Sequence, residues 1–144
     1  MSPIIYRYLL YPLRQAFRKT FRPKTRGVKT IVLCKNEILL IKNTYGDMLW
    51  TLPGGGIKKK ENLAEAARRE VKEEVGIKLR DVKKIGVFVD KKDTKHIFVS
   101  RVENKNHKID KKEVKTAEWF DIHKIPSSNM QSQTLIESLK LLKK

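Results

Sequence analysis

The chain has 144 residues, 40% of them hydrophobic, and a formal net charge of +17. That length suits one domain with its own core and excludes reliance on a disulfide framework. The single cysteine, Cys34, can form neither an internal disulfide nor a cysteine-based zinc site. A charge this positive points to a polyanion such as RNA or to an anionic membrane surface; a lysine bias spread over the surface would give the same total.

The charge is uneven along the chain. No acid precedes Glu37, while Arg7, Arg14, Arg18, Lys19, Arg22, Lys24, Arg26, Lys29 and Lys35 all do. Residues 1–21 interleave basic residues with Ile4, Ile5, Tyr6, Leu9, Leu10, Leu13, Phe17 and Phe21. Arg7, Pro12 and Arg14 interrupt the apolar run, so it does not read as a membrane span, and no basic stretch precedes it as in a secretory signal. An amphipathic helix is expected, packed on the body of the protein or lying on a membrane surface. An acid-free, arginine-rich start also resembles an organelle transit peptide. We divide the chain into a basic segment, residues 1–26, and a domain, residues 27–144.

Residues 28–34 and 37–42 are β-rich runs separated by Lys35 and Asn36, which predicts a hairpin. Cys34 ends the first run as a small core residue, and a reducing, cytoplasmic location fits it. Residues 43–47 read as a loop turning at Gly46, and residues 48–52 as a short strand ending at Pro53. Gly54, Gly55 and Gly56 follow as a turn. Residues 62–75 have helical periodicity, with Asn62 as N-cap and Gly76 as the stop. Two more strands are expected over 84–89 and 94–102, turned at 90–93, and another over 113–120. Residues 130–142 close the chain as an amphipathic helix with Leu135, Leu139 and Leu142 on one stripe. This mix predicts an α/β (α+β) fold, a mixed sheet sandwiched between helices.

The middle helix carries the chemistry. At about 100° per residue, Glu74 lies about 40° to one side of Glu70 and Glu73 about 60° to the other. The three carboxylates therefore share one arc, beside the apolar arc of Leu63, Ala64, Ala67, Val71 and Val75. Like charges so spaced repel. Arg69, four residues before Glu73, can pair with it, and a divalent cation would offset the rest; oxygen donors suit magnesium or manganese. A solvated acidic face is the plain alternative. The preceding glycines let backbone approach a ligand closely, offer N–H groups to phosphate, and place a carbonyl where it could complete a metal shell.

Gly55, Glu61, Arg69, Glu70, Val71, Glu73, Glu74, Gly76 and Ile77 together fill every specified position of G-x5-E-x7-R-E-U-x-E-E-x-G-U, U being aliphatic. This resembles the Nudix box of the Nudix hydrolases. The lead-in from Trp50 to Gly54, and Glu113-Val114 with Glu118-Trp119-Phe120 and Ile125-Pro126, are similar to the family's flanking sequence, so the resemblance spans roughly residues 28–126. Lys58 and Lys60 stand where many members carry Glu and Gly, which makes the mouth of the site basic; it would hold further substrate phosphates or be solvated.

The resemblance implies the Nudix fold and hydrolysis of a diphosphate linkage in a nucleoside diphosphate derivative, water attacking phosphorus. It implies Mg2+, or Mn2+, on Glu70, Glu73 and Glu74 with the Gly55 carbonyl as a backbone ligand. Arg69 would position a box carboxylate, Glu61 or Glu73. Glu74 and Glu70 are the first choices for general base, and Glu113 the later-loop choice. Substrate contacts would come from Gly54, Gly56, Lys58 and Trp50, although Trp50 reads equally as a core aromatic. His96, His107 and His123 have no metal-ligand spacing. A pyrophosphohydrolase acting on RNA 5′ ends, and a domain that binds nucleotide without turnover, are the competing readings. Oligomeric state is left open.

Overall fold

The computed structural model describes residues 3–11 and 24–144. The described start is a helical turn, α1 (Pro3–Ile5), continuing as a π-helical turn over Tyr6–Leu10. The rest of the amphipathic helix expected over residues 1–21 lies outside the described residues.

One mixed sheet organises the domain. Its strands are β1 (Thr25–Cys34), β2 (Glu37–Asn43), β3 (Gly54–Gly56), β4 (Lys83–Asp90), β5 (Asp93–Arg101) and β6 (Val114–Asp121). The order is β4-β5-β1-β2-β6, with β3 also paired to β1. β1 and β5 run parallel from Thr25↔Asp93 to Leu33↔Arg101, and the other pairs are antiparallel. This long parallel ladder explains why β1 starts at Thr25 and not at residue 28. The division drawn at residue 26 therefore falls just inside β1.

Helices cover both faces. On one side α2 (Leu63–Val75) packs Val71 and Val75 onto Val32, Leu39 and Ile41. On the other, α3 (Gln133–Leu142) packs Leu135, with Leu139 and Leu142, onto Ile31, Leu33, Ile38 and Leu40. Being covered on both faces, β1 and β2 are near-continuous apolar runs rather than alternating ones. Cys34 is buried, as its neighbours suggest.

The predicted helix ends hold. Asn62 and Glu65 form a reciprocal capping box, and Gly76 ends α2 in the left-handed conformation at φ 68° with its N–H on the Lys72 carbonyl. α3 starts later than expected. Its N-cap is Ser132, and a 3-10 turn over Ser128–Met130 occupies the ground before it. The short strand expected over residues 48–52 is reduced to two bridges, Ile41↔Thr51 and Trp50↔Gln131. Among the described residues no helix is long and apolar enough to cross a membrane.

β1 and β2 are paired only at their hairpin end, Leu33↔Ile38 and Cys34↔Glu37. Beyond it they part. β3 takes the vacated edge of β1, and Thr51 bridges back to β2. The opening between them positions the site.

Candidate active site

The glycines expected to form a turn are instead the extended strand β3, paired Lys29↔Gly54, Val28↔Gly55 and Gly27↔Gly56. Local propensity favours a turn here; the pairing is set by a strand far away in sequence. Side chains are excluded for concrete reasons. A Cβ on Gly54 would collide with the Val28 carbonyl, and one on Gly55 would lie 2.7 Å from the Glu70 carboxylate. Residues 57–62 separate these glycines from the helix terminus, where the Asn62 side chain accepts the Glu65 N–H as the expected N-cap.

Arg69 holds the box together. Its guanidinium donates to Glu61 Oε2 at 2.8 Å and Oε1 at 3.0 Å, to Glu70 at 2.9 Å, to Glu73 at 3.2 Å and to the Gly56 carbonyl at 2.9 Å. A planar fork suits this convergence better than a lysine. Glu61 receives the Arg69 fork and the Lys58 N–H, and these hold its carboxyl down at about 2. Residues on α2 and β3 are thereby tied through one side chain.

The three helical carboxylates sit in a graded environment, as their positions on the arc imply. Glu74, nearest the apolar face, is 4% exposed, and its Oε1 accepts the Gly54 N–H at 2.6 Å. Burial pushes its carboxyl up to about 8; Lys29 opposes the rise, and the charge of Glu70 adds to it. Lys29 is in turn lowered by burial, with Glu74 opposing, and its Nζ donates to the Leu52 carbonyl at 3.0 Å. Glu70 is raised, first by burial, against the pull of Arg69; Glu73 and Glu113 push it further. Glu73 is the outer member, its side chain 53% exposed.

A cavity of about 470 Å³ opens against these groups. Gly54, Gly55, Gly56, Glu70 and Glu113 line it. Glu113 reaches it from the end of the 102–113 loop, where its carbonyl accepts the Thr44 N–H at 2.9 Å. The cavity thus gathers glycine backbone and carboxylates from two separate parts of the chain. Lys58 and Trp50 are not in its wall. The Lys58 side chain is exposed, while its N–H serves Glu61 at 3.0 Å. Trp50 is 7% exposed, packed edge-on to Phe120 at 4.9 Å with Lys42 Nζ 4.7 Å from its ring centroid.

Sequence reasoning missed Lys29 and Lys95, which line the same cavity. A lysine inside the apolar run of β1 is the one signal that could have marked Lys29. The histidines stay apart from this constellation: His96 is half-buried on β5 and lowered by burial and by Lys84 and Arg26, His107 contacts Trp119, and His123 is exposed.

The donors suit a hard divalent cation: they are oxygens only, the carboxylates raise one another's proton affinity, and the backbone at Gly55 lies so close to Glu70 that a Cβ there would displace the carboxylate. As placed, the carboxylates are held on Arg69 and Gly54, and among the described residues no three metal-ligating side chains converge.

Comparison with known proteins agrees with this geometry. The NUDIX domain family model matches residues 23–140. A putative 8-oxo-dGTP diphosphatase of Bacillus subtilis is 32% identical over 104 residues, 71% of this chain and 70% of that protein. Human diphosphoinositol polyphosphate phosphohydrolase 3-alpha is 34% identical over 83 residues, 54% of this chain; the match spans about half that protein's length, 51%. Among solved structures, a MutT NUDIX hydrolase from Burkholderia pseudomallei superposes with a TM-score of 0.73 at 20% identity, covering 82% of this chain and 97% of that one, which speaks for the fold. An unbroken box, a sheet and helices in the same arrangement, and a family match across most of the chain lead to one conclusion: this protein belongs to the Nudix family.

Proposed function

We propose that the protein is a metal-dependent hydrolase of a nucleoside diphosphate derivative. The observation that carries this reading is the seam of β3 against α2. The Gly54 N–H donates to Glu74, Gly55 abuts Glu70, and Glu113 lines the same cavity as Glu70 and both glycines. Glu70, Glu73 and Glu74, with the Gly55 carbonyl, would hold Mg2+ or Mn2+. Bound there, the cation supplies charge neutralisation at the diphosphate and acidifies coordinated water.

The chain's own residues do the rest. Arg69 fixes Glu61, Glu70 and Glu73 against the Gly56 carbonyl, so the carboxylates keep one orientation as charge develops. Water attacks phosphorus, the P–O bond of the anhydride bridge breaks, and a phosphate-bearing fragment leaves. Glu74 or Glu70 takes the proton of the attacking water, with Glu113 as the alternative acceptor across the cavity. Lys29 and Lys95 bring positive charge to the same wall and suit the phosphate oxygens. The domain that begins with β1 at Thr25 carries this chemistry, and a basic segment precedes it. A cytoplasmic location fits the buried, unpaired Cys34.

A second reading, hydrolysis at RNA 5′ ends, is favoured by the net charge of +17. The yeast m7GpppN-mRNA hydrolase is 36% identical over 103 residues, which are 67% of this chain and only 10% of that protein. The deciding experiment is a screen of nucleoside diphosphate derivatives, with a diphosphoinositol polyphosphate and a triphosphorylated RNA as comparators, in Mg2+. Phosphate-bearing products are expected from at least one nucleotide. Glu74→Gln should reduce their release by about 10³-fold or more. Metal binding without turnover of any candidate would favour a domain that only binds nucleotide.

A further inference from the structure

The lining of the cavity is of two kinds. Lys29, Lys95, Glu70 and the β3 backbone contribute charge and amide groups. Tyr11, Tyr45, Met48 and Leu49 contribute aromatic and apolar surface. The rings of Tyr11 and Tyr45, both in its lining, are in contact, with centroids 5.1 Å apart and planes tilted by 40°. Gly46 lets them meet: its φ is +86°, and a Cβ there would lie 3.3 Å from the Tyr11 hydroxyl. Asn43 lines the cavity too, and its Oδ1 is buried with no hydrogen-bond partner. A buried acceptor left unmet costs on the order of 1–3 kcal/mol. A donor arriving with a ligand would remove that cost.

Tyr11 does not belong to the Nudix match, which begins at residue 23. It comes from the helical turns at the start of the chain, in the segment expected to pack on the body of the protein or to lie on a membrane surface. Here that segment reaches the substrate cavity.

We propose that the N-terminal segment completes a nucleobase subsite, in which the substrate's base stacks on the Tyr11–Tyr45 wall and an N–H of the base meets Asn43. Stacking on an aromatic side chain is worth about 1–3 kcal/mol per base, enough to select a base-bearing diphosphate over a base-free one. The proposal rests on the hydrolase reading for the phosphate-binding groups, but not for the aromatic wall. It deepens that reading by naming what lies beyond the phosphates: a planar heterocycle with a hydrogen-bond donor, not a polyphosphorylated cyclitol.

The test is binding, so it does not depend on turnover. The full chain is titrated calorimetrically with each of the four ribonucleoside 5′-monophosphates and with ribose 5-phosphate. At least one nucleotide should bind about tenfold or more tightly than ribose 5-phosphate. Tyr11→Ala should bring that nucleotide down to the level of ribose 5-phosphate, Tyr11→Phe should keep the preference, and Asn43→Leu should narrow it. Circular dichroism melts identify variants that fail to fold, and Tyr11→Phe guards the comparison against that failure. No preference for any base in the parent chain, or a preference that survives Tyr11→Ala in a folded protein, overturns the subsite. Base-selective binding in a protein that hydrolyses no nucleotide would overturn the hydrolase reading and leave the subsite standing.

Discussion

Glu74 is where burial and chemistry compete at a single residue. Its carboxyl is 4% exposed and raised to about 8 from an ordinary value of 4.5, first by burial. Between those values the folded protein binds a proton that the unfolded chain does not. This contribution to stability is complete below pH 4.5 and is lost as pH rises through 8. In chelator, urea unfolding should therefore show stability falling across that window, with a slope approaching about 1.4 kcal/mol per pH unit from this group. Glu74→Gln, already predicted to cut turnover by about 10³-fold or more, should flatten the slope and leave the metal-free protein more stable at pH 8. An unchanged slope would mean that Lys29 compensates Glu74 fully. At this scale the box was readable in the sequence because its residues act over short spacings on one helix. The grading of its three carboxylates followed from their angular positions. The apolar run around Lys29 marks it as unusual, but nothing local shows that a lysine on a strand will meet a glutamate on a distant helix.

Among elements, β3 decides how the site is assembled. Three glycines weaken any strand taken alone, yet here they permit backbone to lie against β1 on one side and Glu70 on the other. Gly55→Ala should leave the sheet and melting temperature nearly unchanged, since Glu70 can swing away. The same swing should cost about 10–100-fold in kcat, measured with Mg2+ on the best substrate of the screen. A drop in melting temperature with kcat preserved would make the glycine a packing residue only. The sequence shows why β3 was missed and α2 was not. Asn62, Glu65 and Gly76 are local signals that mark the ends of α2, whereas the pairing of Lys29 with Gly54 depends on two segments meeting across the fold. The bridges at Trp50 and Thr51 were overread as a strand for a related reason: β-prone residues there are held by single contacts to β2 and to Gln131.

For the molecule as a whole, the positive charge and the catalytic box answer different questions. A charge of +17 favours polyanions of any kind, so binding of RNA should weaken steeply with salt whether or not RNA is the substrate. Replacing Arg14, Arg18 and Arg22 together with glutamine should lower RNA affinity and reduce the salt slope by up to about 3. Hydrolysis of a small nucleotide should be unchanged in the same variant. Equal losses on RNA and on the small nucleotide would tie the basic segment to catalysis itself. The segment also reaches the cavity at Tyr11; packing on the body of the protein is among its expected placements, but the contact with Tyr45 exists only once the fold brings residue 11 to the cavity.

The most direct measurement of the central claim is turnover in heavy-oxygen water, followed by mass spectrometry of the products. Attack of water on phosphorus predicts one heavy oxygen in a phosphate-bearing product, dependent on added Mg2+ and absent with Glu74→Gln. Label appearing only on a carbon-bound hydroxyl, or turnover that neither chelator nor Glu74→Gln reduces, would contradict it.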